Sequence, residues 1–141
     1  MADIDLGRVF EALNNKLDMP TGVSQSNIDY VVESQLPTAS NNYTWYRKYK
    51  SGWVEQGGKY DNGSLSDDFT VTITLPVTMK DSSYTLTAFA SRNTNNFANR
   101  AGYTTAVIQT ETSIGIGYYR SASGNQMQYI NWQVSGMGAS E

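Results

Sequence analysis

The 141-residue chain contains no cysteine and no histidine. Without cysteine there is no disulfide framework, no thiol nucleophile and no thiolate site for zinc or an iron–sulfur cluster, and the fold is indifferent to redox compartment. Without histidine the usual near-neutral general base is missing, and with it Ser-His-Asp triads and most zinc or iron sites. Charge is scarce as well, at 16% of residues against a norm of roughly 25%. The net charge of -3 is uneven, because residues 1–36 hold six acids and two bases whereas residues 37–141 hold seven acids and eight bases. A surface for a phosphate backbone is not expected, so nucleic acid is not an expected partner. No apolar run approaches the roughly 18 residues needed to span a bilayer, and the acidic amino end lacks a basic region followed by an apolar stretch. Neither membrane insertion nor a signal peptide is predicted.

What the chain has in abundance is neutral polarity and aromatic surface. Asn, Ser and Thr supply most of the polar residues, and aromatics reach 12%, with ten Tyr and three Trp. That is enough apolar area for one core, with some left for a sticky surface, and the length suits a single folded domain.

Two textures divide the chain. In the first, Leu6, Phe10, Leu13 and Leu17 recur at spacings of 4, 3 and 4, the 3.5-residue average of a coiled-coil seam. A helix this short is not stable alone in water, so its stripe must bury against its own domain or against copies of itself. A second short helix is expected over 27–34, capped by Ser26 or Asn27 with Ile28, Val31 and Val32 on one side, and closed by Leu36-Pro37. The expected division is an N-terminal helical oligomerisation segment at 1–36 and a β-domain at 37–141.

After Pro37 the period becomes two. Phe69, Val71, Ile73, Leu75, Val77 and Met79 share one parity, which predicts a strand over 69–79 with one face in the core. Pro76 has no amide donor, so this strand lies at an edge or is interrupted there. Segments 43–50 and 53–56 flank Ser51-Gly52 and read as a hairpin. Further strands are expected at 84–91, 103–109, 113–119 and 127–135. About seven short strands with regular turns is the pattern of a mainly β fold, an antiparallel β-sandwich.

The stretch from Asp29 to Gly58, and above all Tyr43-Thr44-Trp45-Tyr46-Arg47-Lys48-Tyr49 followed by Gly52-Trp53-Val54-Glu55-Gln56-Gly57-Gly58, resembles the start of the C-terminal domain of bacteriophage tail-fibre and related receptor-binding proteins. The likeness extends to the apolar strand ending in Pro76, to Tyr84-Thr85-Leu86, and to Trp132 before Gly136. The resemblance implies a β-sandwich tip on a parallel homotrimeric fibre, carried on the virion. It implies adsorption to a bacterial surface glycan or surface protein, without catalysis and without a cofactor. Under that resemblance Leu6, Phe10, Leu13 and Leu17 become candidate intersubunit contacts.

Several groups are candidates for the receptor. The loop residues Asn93, Asn95, Asn96, Phe97, Asn99 and Arg100 combine amides, one aromatic and one cation, the chemistry of a glycan reader. Tyr118, Tyr119 and Arg120 form a second candidate edge. Trp45, Tyr46, Tyr49 and Trp53 cluster on one hairpin, as core or subunit packing by default and as a sugar-stacking platform otherwise. Arg47 and Lys48 fall on opposite faces, and one of them is expected to pair with Glu55. The run from Asp61 to Asp68 reads as an acidic turn, with calcium as the alternative, and the carboxylates Glu55, Asp61, Asp67, Asp68 and Glu111 give no spacing that specifies glycoside cleavage. Gly115 and Gly117 strip one strand face of side chains, so a neighbouring aromatic or a second subunit is expected to approach there.

Overall fold

The computed structural model describes residues 28–65, 68–91, 102–120 and 127–140. Eight strands carry nearly all the regular structure: β1 Val31–Gln35, β2 Trp45–Tyr49, β3 Trp53–Leu65, β4 Phe69–Thr74, β5 Thr85–Ser91, β6 Gly102–Gln109, β7 Ser113–Arg120 and β8 Met127–Met137. They form a five-stranded sheet in the order β1-β2-β3-β8-β5 and a three-stranded sheet in the order β4-β7-β6. Every neighbouring pair is antiparallel. The expected mainly β, antiparallel architecture is present, and the 43–56 hairpin turns through Gly52 at a φ of 86°, a left-handed conformation that glycine adopts without steric cost.

One core joins the sheets. Ile130, Trp132 and Val134 of β8 and Val54 of β3 meet Ile114 and Ile116 of β7, with Leu75, Val77, Met79 and Tyr84 packed between them. The period of two explains this placement, since alternate residues of each strand point to the same side. Gly115 is covered by Ile108, and Gly117 by Val107, Thr105 and the ring of Tyr119. The expected close approach comes from within the chain, and chiefly from aliphatic groups.

The apolar parity of 69–79 persists, with Leu75, Val77 and Met79 buried and Pro76 and Thr78 exposed, but the strand stops at Thr74. β4 is an edge strand, and the chain leaves its ladder one residue before reaching Pro76, whose nitrogen has no proton to donate. The departing residues find other partners: Leu75 N–H donates to Thr112 O, Met79 N–H to Glu111 O, and Ala139 N–H to Thr78 O. At the deepest point the partner is a side chain. Gln56, with no exposed surface, accepts from Val77 N–H at 2.9 Å and donates to Val77 O at 2.8 Å and to Met79 Sδ at 3.1 Å. Its amide thus serves as one peptide unit of a missing strand.

The helix expected over 27–34 is overturned. Residues 31–35 are β1, whose Gln35, Ser34 and Glu33 pair with Tyr46, Arg47 and Lys48. The Asp29 carboxylate accepts from Ser51 N–H at 2.9 Å and Ser51 Oγ at 2.7 Å, fastening the segment to the β2–β3 turn. Glu33 then receives Tyr46 Oη at 2.6 Å and pairs with Lys48 at 2.8 Å. Val31 and Val32 are adjacent and both exposed, so burial gives no helical face to favour. The expected stripe Leu6, Phe10, Leu13 and Leu17 lies outside the described residues. So does Asp67, whereas Asp61 belongs to β3, which runs through to Leu65 in place of the expected turn.

Replacing Gln56 with Leu strands both Val77 backbone groups in the core. A buried orphan costs about 1–3 kcal/mol, so the expected loss in urea unfolding is roughly 2–5 kcal/mol. A loss below about 1 kcal/mol would remove the clamp from the account. A second expectation concerns acid. The Lys48 ammonium, and after it the Tyr46 hydroxyl, hold the Glu33 carboxyl below its ordinary value. The stabilisation is therefore present above the ordinary glutamate range and disappears as pH falls through the lowered value. Carboxyl NMR titration should place the Glu33 midpoint low and Lys48→Met should move it up; an unmoved midpoint refutes the coupling.

Candidate functional site

The five-stranded sheet has a second face, turned away from the core. Because Gln56 and Val54 point inward with their partners Val134 and Gly136, the opposite parity of β2, β3, β8 and β5 points outward. That parity carries Trp45, Gly57, Lys59, Tyr129, Asn131, Gln133, Thr87 and Phe89. All of these but Gly57, together with Gly58 and Trp132 and with Pro37 and Tyr43 from the connection between β1 and β2, line a groove of about 560 Å³, within the range of small-ligand sites.

Local chemistry explains how the aromatics come to lie there. Gly57 leaves the centre of the outer face bare. A Cβ at this position would stand 3.0 Å from the Trp45 ring and 2.8 Å from Trp132 O, so only glycine lets the indole settle on the sheet. Gly58 does the same on the inner side, where a Cβ would meet the Trp132 ring at 3.1 Å. Tyr43 is delivered by a tight connection: a 3-10 turn at Ala39–Asn41 follows Thr38. The Asn41 side chain accepts from Thr38 N–H at 2.9 Å and donates to Leu36 O at 3.1 Å. Asn42 and Tyr43 then both take a φ of 54°. A left-handed tyrosine costs of order 1–2 kcal/mol, and its ring remains half exposed at the groove wall.

Lys59 is the one charged side chain among the described residues lining the groove. Its ammonium lies 3.7 Å from the centre of the Tyr129 ring and 5.6 Å from that of Tyr43, an attraction between cation and ring face. The nearest carboxylate, Asp61, is 3.7 Å away, beyond hydrogen-bonding distance. Phe89, 57% exposed, forms the opposite wall. Amides and a hydroxyl complete the rim, with Asn131 donating to Ser91 Oγ at 2.7 Å and Gln133 and Thr87 exposed.

A second groove, of about 760 Å³, opens where β1 and β2 overhang Pro76, Val77 and Thr78. Of its charged groups, Glu33 is matched with Lys48 and Tyr46, and the Lys50 ammonium lies over the Tyr30 ring at 5.5 Å. The chemistry there holds the sheet edge together.

The hairpin aromatics divide between the faces. Trp45, Tyr49 and Trp53 lie outward, while Tyr46 lies inward against Glu33. Lys48 pairs with Glu33, and Glu55 instead receives Tyr49 Oη at 2.9 Å, which raises the Tyr49 hydroxyl above its ordinary range. Of the expected receptor residues, Asn93, Asn95, Asn96, Phe97, Asn99 and Arg100 lie outside the described residues. Tyr118 is fully buried, 5.6 Å from the Phe69 ring centre, so it belongs to the core and presents no surface. Tyr119 stacks on Tyr103 at 5.3 Å on the outer side of the small sheet, and Arg120 ends β7. Phe89, Lys59, Tyr129 and Asn131 are not marked out by the sequence. Their period-two placement opposite core residues is visible there, but their meeting depends on how β3, β8 and β5 align.

Among the described residues no group of three or more carboxylates that could hold a metal ion occurs, and no helix is long and apolar enough to cross a membrane.

No protein-family model and no curated protein matches the chain. Solved structures do. A P. aeruginosa R1 pyocin fibre, comprising C-terminal residues, is similar over 75% of this chain at 15% identity, with a TM-score of 0.53; the likeness covers 28% of that fibre chain. An N-truncated R1-type pyocin tail fibre is similar over 96% of this chain and 98% of its own length at 14% identity, with a TM-score of 0.52. The two sheets of this chain therefore share the fold of the C-terminal part of pyocin tail fibres.

Proposed function

We propose that the chain is the host-recognising end of a phage or phage-like tail fibre, and that it adsorbs to a glycan on the bacterial surface through the outer groove of the five-stranded sheet. The observation that carries this reading is the groove itself: aromatic faces of Trp45, Tyr43, Phe89 and Tyr129 around a rim of amides and a hydroxyl, beside one ammonium. Aromatic faces pack on the C–H faces of pyranose rings, and amides and hydroxyls read sugar hydroxyls. The shared fold with pyocin fibres supports the tail-fibre role. Binding is without catalysis, and three linked copies strengthen individually weak contacts by raising their effective concentration.

Self-association has its own support. The outer side of the small sheet exposes Tyr103, Val107 and Ile108, each about half or more exposed, an apolar patch suited to burial against a second copy. Three chains would then be gathered by this patch and by the stripe at Leu6, Phe10, Leu13 and Leu17.

Fluorescently labelled protein should stain a host strain selectively, and Trp45→Ala or Phe89→Ala should reduce staining at least tenfold. Staining unchanged in both variants refutes the groove, and no staining across a broad strain panel favours a purely structural tail component. Tyr43→Gly separates binding from stability. It should leave the melting temperature unchanged or higher, because the left-handed strain is relieved, while weakening adsorption. Light scattering should give three copies for the intact chain and smaller species for a version lacking residues 1–22; a monomer in both refutes the trimer.

A further inference from the structure

Most lysines on a sheet surface reach freely into water, but Lys59 does so only in part. Its side chain is only 25% exposed, and its ammonium is held against the Tyr129 face and within reach of Tyr43. Among the described residues none of its N–H groups has an acceptor at hydrogen-bond distance, the Asp61 oxygen lying at 3.7 Å. An ammonium carries three donors, and ring faces offer electrostatic attraction without directional acceptors. The groove thus contains an ammonium whose ionic partner among the described residues is Asp61 at 3.7 Å, with donors that meet no acceptor at hydrogen-bond distance there, next to aromatic ring faces and with no other charge among the described residues lining it.

We propose that the groove selects an acidic sugar, a pyranose carrying a carboxylate, with its ring on Trp45 and Phe89 and its carboxylate on Lys59. This rests on the reading of the groove as the glycan site and adds the class of glycan. The physical case is preorganisation. The two tyrosines already bear the entropic cost of holding a flexible lysine. A carboxylate can then take charge-assisted hydrogen bonds in a partly desolvated setting where they are stronger than in open water. Asp61 on the same face of β3 is half exposed and ion-paired with the ammonium at 3.7 Å; an incoming carboxylate must share or displace it, which disfavours small anions that lack a ring to stack.

The test is calorimetric titration of the intact chain with a panel of uronate and sialate oligosaccharides, each beside its methyl ester, in which the carboxylate is capped and the ring unchanged. At low salt the best acid should bind at least tenfold more tightly than its ester, and the difference should shrink as salt is raised. Lys59→Gln should abolish the preference while Lys59→Arg keeps it, and Trp45→Ala should weaken acid and ester together. Equal binding of acid and ester overturns this inference and leaves a neutral-glycan groove standing. No binding to any member, in a protein that still stains cells in a Trp45-dependent way, also overturns it. A preference that survives Lys59→Gln overturns the role given to Lys59.

Discussion

A glutamine amide stands in for a peptide group at the centre of this fold. The proline at position 76 takes β4 out of its ladder, and the next residues run beside the core, where the backbone groups of the buried Val77 and Met79 need partners other than water. Gln56 satisfies Val77 on both its N–H and its C=O. Because Gln56 sits on β3, the same contact also fixes how the five-stranded sheet lies over the crossing segment. The facing of the neighbouring residues follows from that register: once Gln56 points in, Gly57 and Glu55 must turn to the other side of the sheet. The groove face is therefore set by a contact on the other side of the sheet.

Much of the fold is legible because burial in a sheet writes itself as alternation. Ile114, Ile116 and Tyr118, or Phe69, Val71 and Ile73, need no partner to be recognised as one side of a strand. Where the sequence misleads, partnership is the missing information. Val31 and Val32 are neighbours with no clear parity, and β1 exists because Tyr46, Arg47 and Lys48 offer an open edge. Tyr118 misleads for the converse reason. Its neighbours Tyr119 and Arg120 suggest an exposed rim, but parity places it with Ile116 and Ile114 in the core.

The site is legible in its parts and illegible as a whole. The string running from Trp53 to Gly58 reads as specific, and its residues serve different ends, with Val54 in the core, Glu55 on Tyr49, Gln56 on Val77, and two glycines under two indoles. The other half of the groove comes from Phe89 and from Tyr129 and Asn131, brought beside Lys59 only by the β3–β8 and β5–β8 registers. A site on a sheet face differs in kind from the polar loops that composition favours. Its geometry is held by ladders of backbone hydrogen bonds, so its lining is ordered before any ligand binds.

The adjacent glycines of β3 carry a consequence for which parts of the groove can vary. One bare backbone layer separates the indole outside from the indole inside, so the floor of the cleft is also the roof of the interior. Diversification has little freedom there. Substitution is freer at the walls, at residues such as Phe89, Gln133 and Thr87, whose replacement leaves the interior untouched, so the lining of the groove can vary over a fixed centre.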